Sequence, residues 1–211
     1  AVFITGTGTD IGKTYLSGLI VKKLADAGIR TGYYKAALSG AKSIGDSDAG
    51  YVKKIAGITQ EDTSLLSYLY QNAVSPHLAA QIEGNPVDPE KIKKDFDKVK
   101  SKFDYVTVEG SGGIVCPIRW DKEHKILLED IVKALNLNTL VIADAGLGTI
   151  NAVVLTIGLH RYHLPGYTYA AYRTGRTKKF RPWPEFILKG CFFDFCKGAW
   201  IARRGGARFS D

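Results

Sequence analysis

One short segment near the amino end constrains the fold of this chain more than any other. Residues 6–14 read Gly-Thr-Gly-Thr-Asp-Ile-Gly-Lys-Thr and lie between a β-branched run, Val2–Thr5, and an apolar pattern with helical spacing. A glycine-rich turn in this position points backbone N–H groups into one concavity, and the start of the helix adds its positive dipole end. Lys13 is then placed to meet the β- and γ-phosphates of a nucleotide, and Thr14 offers a hydroxyl to Mg²⁺. We therefore predict a phosphate-binding loop.

Strand and helix patterns alternate over most of the chain. Strands are predicted at Val2–Thr5, Thr31–Lys35, Tyr105–Val108 and Leu140–Ala143. Helices are predicted between the loop and Gly28, at Ser47–Ala56, after Asp88, at Ile126–Leu137 and at Thr149–Ile157. This alternation predicts a three-layer α/β fold with a mostly parallel sheet flanked by helices. The glycine-rich turns after Thr5, Val108 and Ala143 should lie at the carboxyl edge of that sheet, where such folds bind ligands.

The last quarter of the chain differs in composition from the rest. Residues 159–211 hold 11 basic and 3 acidic residues, which account for the whole net charge of +8, and 12 of the 23 aromatic residues. Three interpretations stay open: a patch that binds nucleic acid or another acidic surface, a solvated basic face over core aromatics, or a segment that is not the natural continuation of the chain. Nucleic acid is the less favoured partner, because basic runs have many other causes. We treat residues 1–211 as one ATP-binding domain with an atypical tail at 159–211, in which Pro165–Tyr172 predicts a strand.

Composition also bears on the environment of the protein. No apolar run approaches the roughly 20 residues that a membrane-spanning helix needs. The first residues lack the basic and apolar regions of a secretory signal. The three cysteines, Cys116, Cys191 and Cys196, form no C-x-x-C pair and no even-numbered framework, which suits a reducing compartment. We therefore expect a cytoplasmic protein with no membrane partner. Because the sequence contains no Met, not even an initiator, we do not expect it to represent the whole translated product.

Carboxylates and a second lysine fall near the predicted nucleotide edge. A magnesium–nucleotide site usually needs carboxylates besides the loop hydroxyl, and the candidates are Asp46, Asp48 and Glu109. Glu109 directly follows a predicted strand and precedes glycines that allow close backbone approach, which favours the metal role. Lys35 ends the second strand, where it could stabilise charge on a transferred phosphoryl group or be an ordinary solvated lysine. The four histidines show no metal-ligand spacing with Cys or Asp.

Five segments of this sequence match a known family. They are residues 5–14, 32–40, 47–49, 108–117 and 145–151, in order along the chain. With them the chain resembles dethiobiotin synthetase, an ATP-dependent family of the P-loop NTPase superfamily that acts in biotin synthesis. The five residues between Gly6 and Gly12, one more than the common phosphate loop has, are typical of this family.

The resemblance implies a reaction, its cofactors and its partners. In the family, 7,8-diaminononanoate and CO₂ react with Mg–ATP to give dethiobiotin, ADP and phosphate. ATP and Mg²⁺ are therefore the implied cofactors, and diaminononanoate and CO₂ the implied substrates. The family is a homodimer whose substrate site lies at the interface. The physical demand on the protein is positioning and charge neutralisation, as in other phosphoryl transfers.

The resemblance also implies roles for individual residues. The implied catalytic residues are Lys35, Lys13 and Thr9. The implied nucleotide-binding residues are Asp10, Ile11, Gly12, Lys13, Thr14, Tyr15, Asp48, Glu109, Gly110, Ser111, Gly112, Ala170 and Ala171. The implied substrate contacts are Thr9, Ser39, Leu147, Gly148, Thr149, Ile150 and Asn151, and the implied metal ligands are Thr14, Asp48 and Glu109. Ala170 and Ala171 stand where the family has asparagines that contact adenine, and an alanine side chain cannot read a base edge.

Other classes of nucleotide-binding protein fit the sequence less well. Partition and septum-site ATPases carry a lysine four residues before the second glycine of the loop, and that position here is Gly8. The amidation enzymes of cobalamin synthesis normally carry a glutaminase domain, for which this chain has no room. The remaining alternatives are another P-loop ATPase, or a nucleotide-binding regulator whose basic tail binds nucleic acid.

Overall fold

The computed structural model describes residues 1–144, 146–163, 168–173 and 180–182. Its strands are β1 (Val2–Gly6), β2 (Thr31–Ser39), β3 (Leu66–Tyr70), β4 (Tyr105–Gly113), β5 (Pro117–Trp120), β6 (Lys125–Leu127), β7 (Asn138–Asp144), β8 (Thr168–Arg173) and β9 (Phe180–Pro182). Its α-helices are α1 (Lys13–Asp26), α2 (Asp48–Ala56), α3 (Pro76–Ile82), α4 (Pro89–Lys102), α5 (Leu128–Ala134) and α6 (Thr149–His163). A short 3-10 helix covers Asp62–Ser64.

Seven of the described strands form one sheet in the order β3-β2-β4-β1-β7-β8-β9. Neighbouring strands are parallel from β3 through to β8, and only the last pair, β8 and β9, is antiparallel. The strands β5 and β6 form a separate antiparallel pair. The predicted α/β fold with a mostly parallel sheet is therefore confirmed.

The central strand β1 shows how the helices cover the sheet. Successive side chains of a strand point to opposite faces. Phe3 packs in one hydrophobic cluster with Phe96 of α4 and Ile131 of α5, whereas Ile4 packs in another with Leu16 of α1. Helices thus lie on both faces, and the molecule has three layers with the core on each side of the sheet.

Strand β2 is buried on both faces, as a central parallel strand should be. Tyr33 packs against Val21 of α1 and Val52 of α2, in a cluster on the same face as α1. Its neighbour Tyr34 points to the other face and packs against Phe96, with the ring centroids 5.7 Å apart. This alternation also fixes Lys35 on the same face of β2 as Tyr33.

The structure corrects several details expected from the sequence. Glu109 does not lie in a turn after a strand, because β4 continues through the glycines to Gly113. The predicted helix over Ile126–Leu137 begins only at Leu128, since Lys125–Leu127 pairs with β5 and the Asp130 carboxylate accepts a hydrogen bond from the Leu127 N–H. The sequence patterns also missed β3 and α3, which are short and have mixed polarity.

The tail that differs in composition contributes to the sheet where the structure describes it. The helix predicted to end at Ile157 continues to His163, and the predicted strand near residue 170 is present as β8 beside β7. The proposals for a nucleic-acid surface or for an unnatural continuation fall largely on residues outside the described ranges. Within those ranges, no helix is both long and apolar enough to cross a membrane.

Candidate active site

A large cleft lies at the carboxyl edge of the central strands. It has a volume of about 1010 Å³ and is bounded by the 6–14 loop, by the end of β2 and the start of α2, by residues 73–76, and by the glycine-rich end of β4. The described site residues in its wall are Thr9, Asp10, Gly12, Lys13, Thr14, Tyr15, Lys35, Ser39, Asp48, Glu109, Gly110, Ser111 and Gly112. Most residues singled out in the sequence are therefore brought together in one place.

The loop enters helix α1 through a conformation that requires glycine. Gly12 is the N-cap residue with φ 98°, in the left-handed region where other residues are strained. It has no side chain that could accept hydrogen bonds from the first turn of α1, which suits the binding of an external anion there. Asp10 also adopts a positive φ of 57°. The backbone thus forms the concave loop that the sequence predicts.

The side chain of Lys13 folds back over this loop. Its Nζ donates a hydrogen bond to the Gly8 carbonyl oxygen at 2.6 Å, and the residue is only 7 % exposed. Burial lowers the pKa of the Lys13 ammonium, although the nearby Glu109 carboxylate acts in the opposite direction. The lysine is therefore held at the loop, where it can reach a phosphate.

Glu109 is the centre of a buried polar network. It lies in β4 between Ile4 of β1 and Lys35 of β2, and it is 1 % exposed. Its Oε1 accepts a hydrogen bond from the Thr14 hydroxyl at 2.7 Å and another from Lys35 Nζ at 3.1 Å. Its Oε2 accepts a hydrogen bond from the Tyr33 hydroxyl at 3.0 Å. A buried carboxylate needs such partners, because an unpaired charge in the interior is very costly.

Lys35 joins this network to the start of helix α2. Its Nζ lies 2.5 Å from Asp48 Oδ2 as well as 3.1 Å from Glu109 Oε1. Asp48 is the first residue of α2, and the Ser47 hydroxyl caps that helix by accepting a hydrogen bond from the Gly50 N–H at 3.4 Å. The helix cap therefore positions the second carboxylate of the site.

The charges of Lys35 and Asp48 stabilise each other and offset the cost of their burial. Burial by itself would lower the pKa of the Lys35 ammonium, but the Glu109 and Asp48 carboxylates outweigh it and raise that pKa. Burial would likewise raise the pKa of the Asp48 carboxyl, but Lys35, Thr14 and Lys13 bring it below its ordinary value. Both groups are therefore charged near neutral pH.

The chemistry of these groups fits a magnesium ion and a nucleotide. Thr14, Asp48 and Glu109 supply a hydroxyl and two carboxylates, the hard oxygen ligands that Mg²⁺ prefers. In this structure the Lys35 ammonium lies between the Asp48 and Glu109 carboxylates and is the cation that pairs with both. The loop backbone and Lys13 complement the phosphates. The donor set thus suits both cofactors that the sequence predicts.

The remaining predicted residues differ in how directly they face the cleft. The Ser39 hydroxyl donates to the Val74 carbonyl oxygen at 2.6 Å, and the Ser111 hydroxyl donates to the Ala37 carbonyl oxygen at 2.5 Å. Both serines line the cleft while tying two of its walls together. Ile11 is not in the wall: its side chain packs in the α1 cluster, where Gly6 leaves room for it.

Two groups of predicted residues lie elsewhere in the chain. Residues 147–151 are at the start of α6 and outside the described wall of the cleft, and Leu147, Ile150 and Asn151 are exposed. The backbones of Ala170 and Ala171 lie in β8, next to Val141 and Ile142 of β7. Asp46 lines the cleft, but its carboxylate accepts a hydrogen bond from the Ser43 hydroxyl and is separate from the Glu109 network.

Three residues of interest were not found from the sequence. Tyr33 contacts Glu109, and Gln60 holds the backbone of Tyr33. The alternation of β2 could have indicated Tyr33, because it shares a face with Lys35. Cys116 is a free thiol in the cleft wall, and burial raises its pKa.

One surface cluster departs from an expectation about histidines. Ligand atoms of His124, Asp121 and Glu123 lie within 4.8 Å of one another, although no metal-ligand spacing was expected for the histidines. Arg119 forms ion pairs with both carboxylates of this cluster, so a cation of the protein already contacts each of them.

Comparison with known proteins decides the family. The chain is 61 % identical over 157 residues to the ATP-dependent dethiobiotin synthetase BioD of Brachyspira hyodysenteriae, which covers 74 % of this chain and 71 % of that protein. It is 58 % identical over 160 residues to the protein of the same name from a Clostridium botulinum strain, covering 74 % and 70 %. The chain belongs to the dethiobiotin synthetase family. A family model described as an AAA domain also matches residues 1–166.

Solved structures with a similar fold are more distant than these dethiobiotin synthetases. A ParA family ATPase from Chlorobium tepidum TLS has a TM-score of 0.46 and 13 % identity, covering 89 % of this chain and 78 % of that chain. The MinD cell division protein of Aquifex aeolicus has a TM-score of 0.45 and 19 % identity, covering 82 % and 67 %. Both similarities are too weak to bear on the family. The assignment rests on the dethiobiotin synthetases, and it confirms the resemblance identified from the sequence.

Proposed function

We propose that the chain forms dethiobiotin from 7,8-diaminononanoate, CO₂ and ATP in the cleft between the 6–14 loop and residues 73–76. By family the chain is an ATP-dependent ligase that joins carbon to nitrogen in biotin biosynthesis. The observation that carries the proposal is the buried network in which Glu109 contacts Thr14 and Lys35, beside a lysine held on a phosphate-type loop. ATP and Mg²⁺ are its cofactors.

The loop and Lys13 are proposed to bind the phosphates. The backbone amides at the start of α1 and the Lys13 ammonium offer positive charge on one wall of the cleft. Thr14, Asp48 and Glu109 would hold the magnesium ion through their oxygens. When bound, magnesium–ATP supplies the phosphoryl group that activates the oxygen of the adduct between CO₂ and a substrate amine.

Lys35 is proposed to stabilise the negative charge that builds up during the transfer. It is held by two carboxylates, so its ammonium is fixed in position before substrate arrives. A fixed charge needs no reorganisation at the moment of reaction, which is the main source of electrostatic catalysis. Thr9 and Ser39 lie in the same cleft wall and are proposed to contact the diamine and its adduct.

A homodimer is proposed to complete the substrate site. Exposed apolar side chains lie at the start of α6 and along it. They are Leu147, just before the helix and 110 % exposed, and Ile150, Val154 and Leu155 within it, of which Leu155 is 65 % exposed. Exposed apolar clusters often mark protein interfaces. On this proposal the start of α6, with Gly148, Thr149 and Asn151, would bind the substrate carboxylate of the partner subunit. We also propose a cytoplasmic location, which the free thiol of Cys116 supports.

The test is a product assay on the purified chain. Diaminononanoate, bicarbonate and Mg–ATP should give dethiobiotin, detected by mass spectrometry, in equal amount to the ADP released. Omitting the diamine should abolish ADP release. ATP hydrolysis that ignores the diamine but responds to DNA would instead favour the regulator with a nucleic-acid-binding tail, and would contradict the proposal.

A further inference from the structure

We propose that Tyr33 is a positioning residue for Glu109, whose hydroxyl fixes the orientation of that carboxylate toward the metal position. This inference rests on the proposed metal role of Glu109. It concerns a residue of β2 that does not itself line the cleft but contacts the wall residue Glu109 from behind.

The two oxygens of Glu109 have different surroundings. Oε1 faces the cleft side, where it accepts from the Thr14 hydroxyl at 2.7 Å and from Lys35 Nζ at 3.1 Å. Oε2 faces the interior, and the donor to it among the described residues is the Tyr33 hydroxyl at 3.0 Å. If the Thr14 hydroxyl turns toward a bound metal ion, the Tyr33 contact still holds the interior oxygen of the carboxylate in place.

The ring of Tyr33 is itself held from every side. Tyr33 is 0 % exposed and packs in the cluster formed by Val21, Val52, Leu65 and their neighbours. A hydroxyl on such a ring has one fixed position, because a core side chain at interior packing density cannot change rotamer freely. The phenolic O–H donates to the Glu109 carboxylate, which as an ionised group can only accept hydrogen bonds.

The backbone of Tyr33 is locked by a side chain where the sheet lacks a strand. Strand β3 pairs with β2 only from Lys35 onward. At Tyr33 the Gln60 amide takes the place of that strand: its Oε1 accepts from the Tyr33 N–H at 2.8 Å, and its Nε2 donates to the Tyr33 carbonyl oxygen at 2.8 Å. Gln60 is 4 % exposed and is fixed in turn by Ser64. A series of hydrogen bonds from Gln60 to Tyr33 and from Tyr33 to Glu109 therefore connects a loop to the proposed metal ligand.

Groups that orient metal ligands typically change metal affinity about 10- to 100-fold when they are removed. The test is Tyr33→Phe, which keeps the ring and removes the hydroxyl. The matched control is Tyr34→Phe, which removes an equally buried hydroxyl from the adjacent position on the opposite face, where it donates to the Ile92 carbonyl oxygen at 3.1 Å. Both variants and the wild type are titrated calorimetrically with Mg²⁺ in the presence of a non-hydrolysable ATP analogue, and with the analogue alone.

We expect Tyr33→Phe to weaken Mg²⁺ binding about 10-fold or more relative to wild type. Its binding of the nucleotide analogue without metal should be unchanged. Tyr34→Phe should bind Mg²⁺ as wild type does, and its melting temperature shows the cost of losing a buried hydroxyl that is not near the metal position. Equal Mg²⁺ affinity in Tyr33→Phe and wild type, or an equal loss in both tyrosine variants, would overturn the inference. If Tyr33→Phe does not fold, Gln60→Ala serves instead, since it retains the hydroxyl but loosens its support; unchanged Mg²⁺ affinity there would also overturn it. A wild type that binds Mg²⁺ and nucleotide but makes no dethiobiotin would contradict the proposed function without contradicting this inference.

Discussion

Lys35 and Glu109 are register partners in the neighbouring parallel strands β2 and β4, and Lys35 Nζ lies 3.1 Å from Glu109 Oε1. Both residues are nearly inaccessible, at 4 % and 1 % exposure. Their pairing means that the sheet itself, rather than a flexible loop, fixes the distance between the proposed catalytic lysine and the proposed metal ligand. Sites built on regular elements hold their geometry more closely than sites on loops.

Replacement of Lys13 should strongly weaken nucleotide binding. Lys13→Ala deletes the ammonium held over the loop at the Gly8 carbonyl oxygen. Hydrogen bonds to charged groups contribute about 1.5–3 kcal/mol, so the affinity for ATP should fall about 10- to 100-fold. Calorimetric titration with ATP measures this. The exposed Lys54→Ala, on α2, is the control, and equal ATP affinity in wild type and Lys13→Ala would contradict the role.

Replacement of Lys35 should separate binding from turnover. In Lys35→Ala the loop and Lys13 are intact, so ATP binding should persist. Turnover should fall at least about 100-fold, the usual effect of removing one preorganised charge-stabilising group. Removing one partner of a buried ion pair also costs about 3–5 kcal/mol of stability, so circular dichroism must show a folded protein at the assay temperature. Wild-type turnover in a folded Lys35→Ala would refute the catalytic role.

A charge placed on the exposed face of α6 should dissociate the proposed homodimer. Leu155 is 65 % exposed in the protomer, so Leu155→Glu should leave the fold intact while making burial at an interface very unfavourable. Sedimentation velocity should show a dimer for the wild type and a monomer for Leu155→Glu, with a raised KM for the diamine. Ile82→Glu introduces the same charge at a similarly exposed apolar position of α3 and should remain dimeric. A monomeric wild type, or a dimeric Leu155→Glu, would rule out this interface.

The contribution of Asp95 to stability should disappear in acid. Asp95 of α4 accepts hydrogen bonds from Ser67 at 2.9 Å and from Lys91 at 2.7 Å. Burial by itself would raise the pKa of its carboxyl, but the hydrogen bonds and charges of Lys91, Ser67 and Lys98 outweigh burial. The pKa of the Asp95 carboxyl therefore lies below its ordinary value of 3.8. A carboxyl whose pKa is depressed by folding stabilises the protein above its unfolded pKa, and that stabilisation is lost as the pH falls through the folded pKa.

The measurement for Asp95 is urea unfolding of wild type and Asp95→Asn across pH. Above about pH 5 the variant should be less stable by about 0.2–1 kcal/mol, the range for partly exposed ion pairs. The difference should shrink as the pH falls below 3.8. Asp97→Asn on the exposed face of α4 should show no comparable difference. A stability gap for Asp95→Asn that stays constant down to pH 2 would be inconsistent with this account.

The sequence by itself indicated the loop, the alternating fold and four residues of the buried network, namely Thr14, Lys35, Asp48 and Glu109. A phosphate loop depends on glycines and on a lysine at fixed spacing, and these are local properties that a sequence displays directly. The same holds for the helix predicted after Asp88, which the structure shows with Ile92, Phe96 and Val99 buried.

Only the tertiary structure decided how those residues meet. Glu109 looked like a residue in a turn, but β4 continues past it because β1 and β2 lie on either side and satisfy its backbone. Tyr33 and Gln60 became part of the site through a contact between positions 76 residues apart and another between positions 27 apart. Such contacts depend on strand order and on which face a side chain occupies, and neither is a local property of the chain.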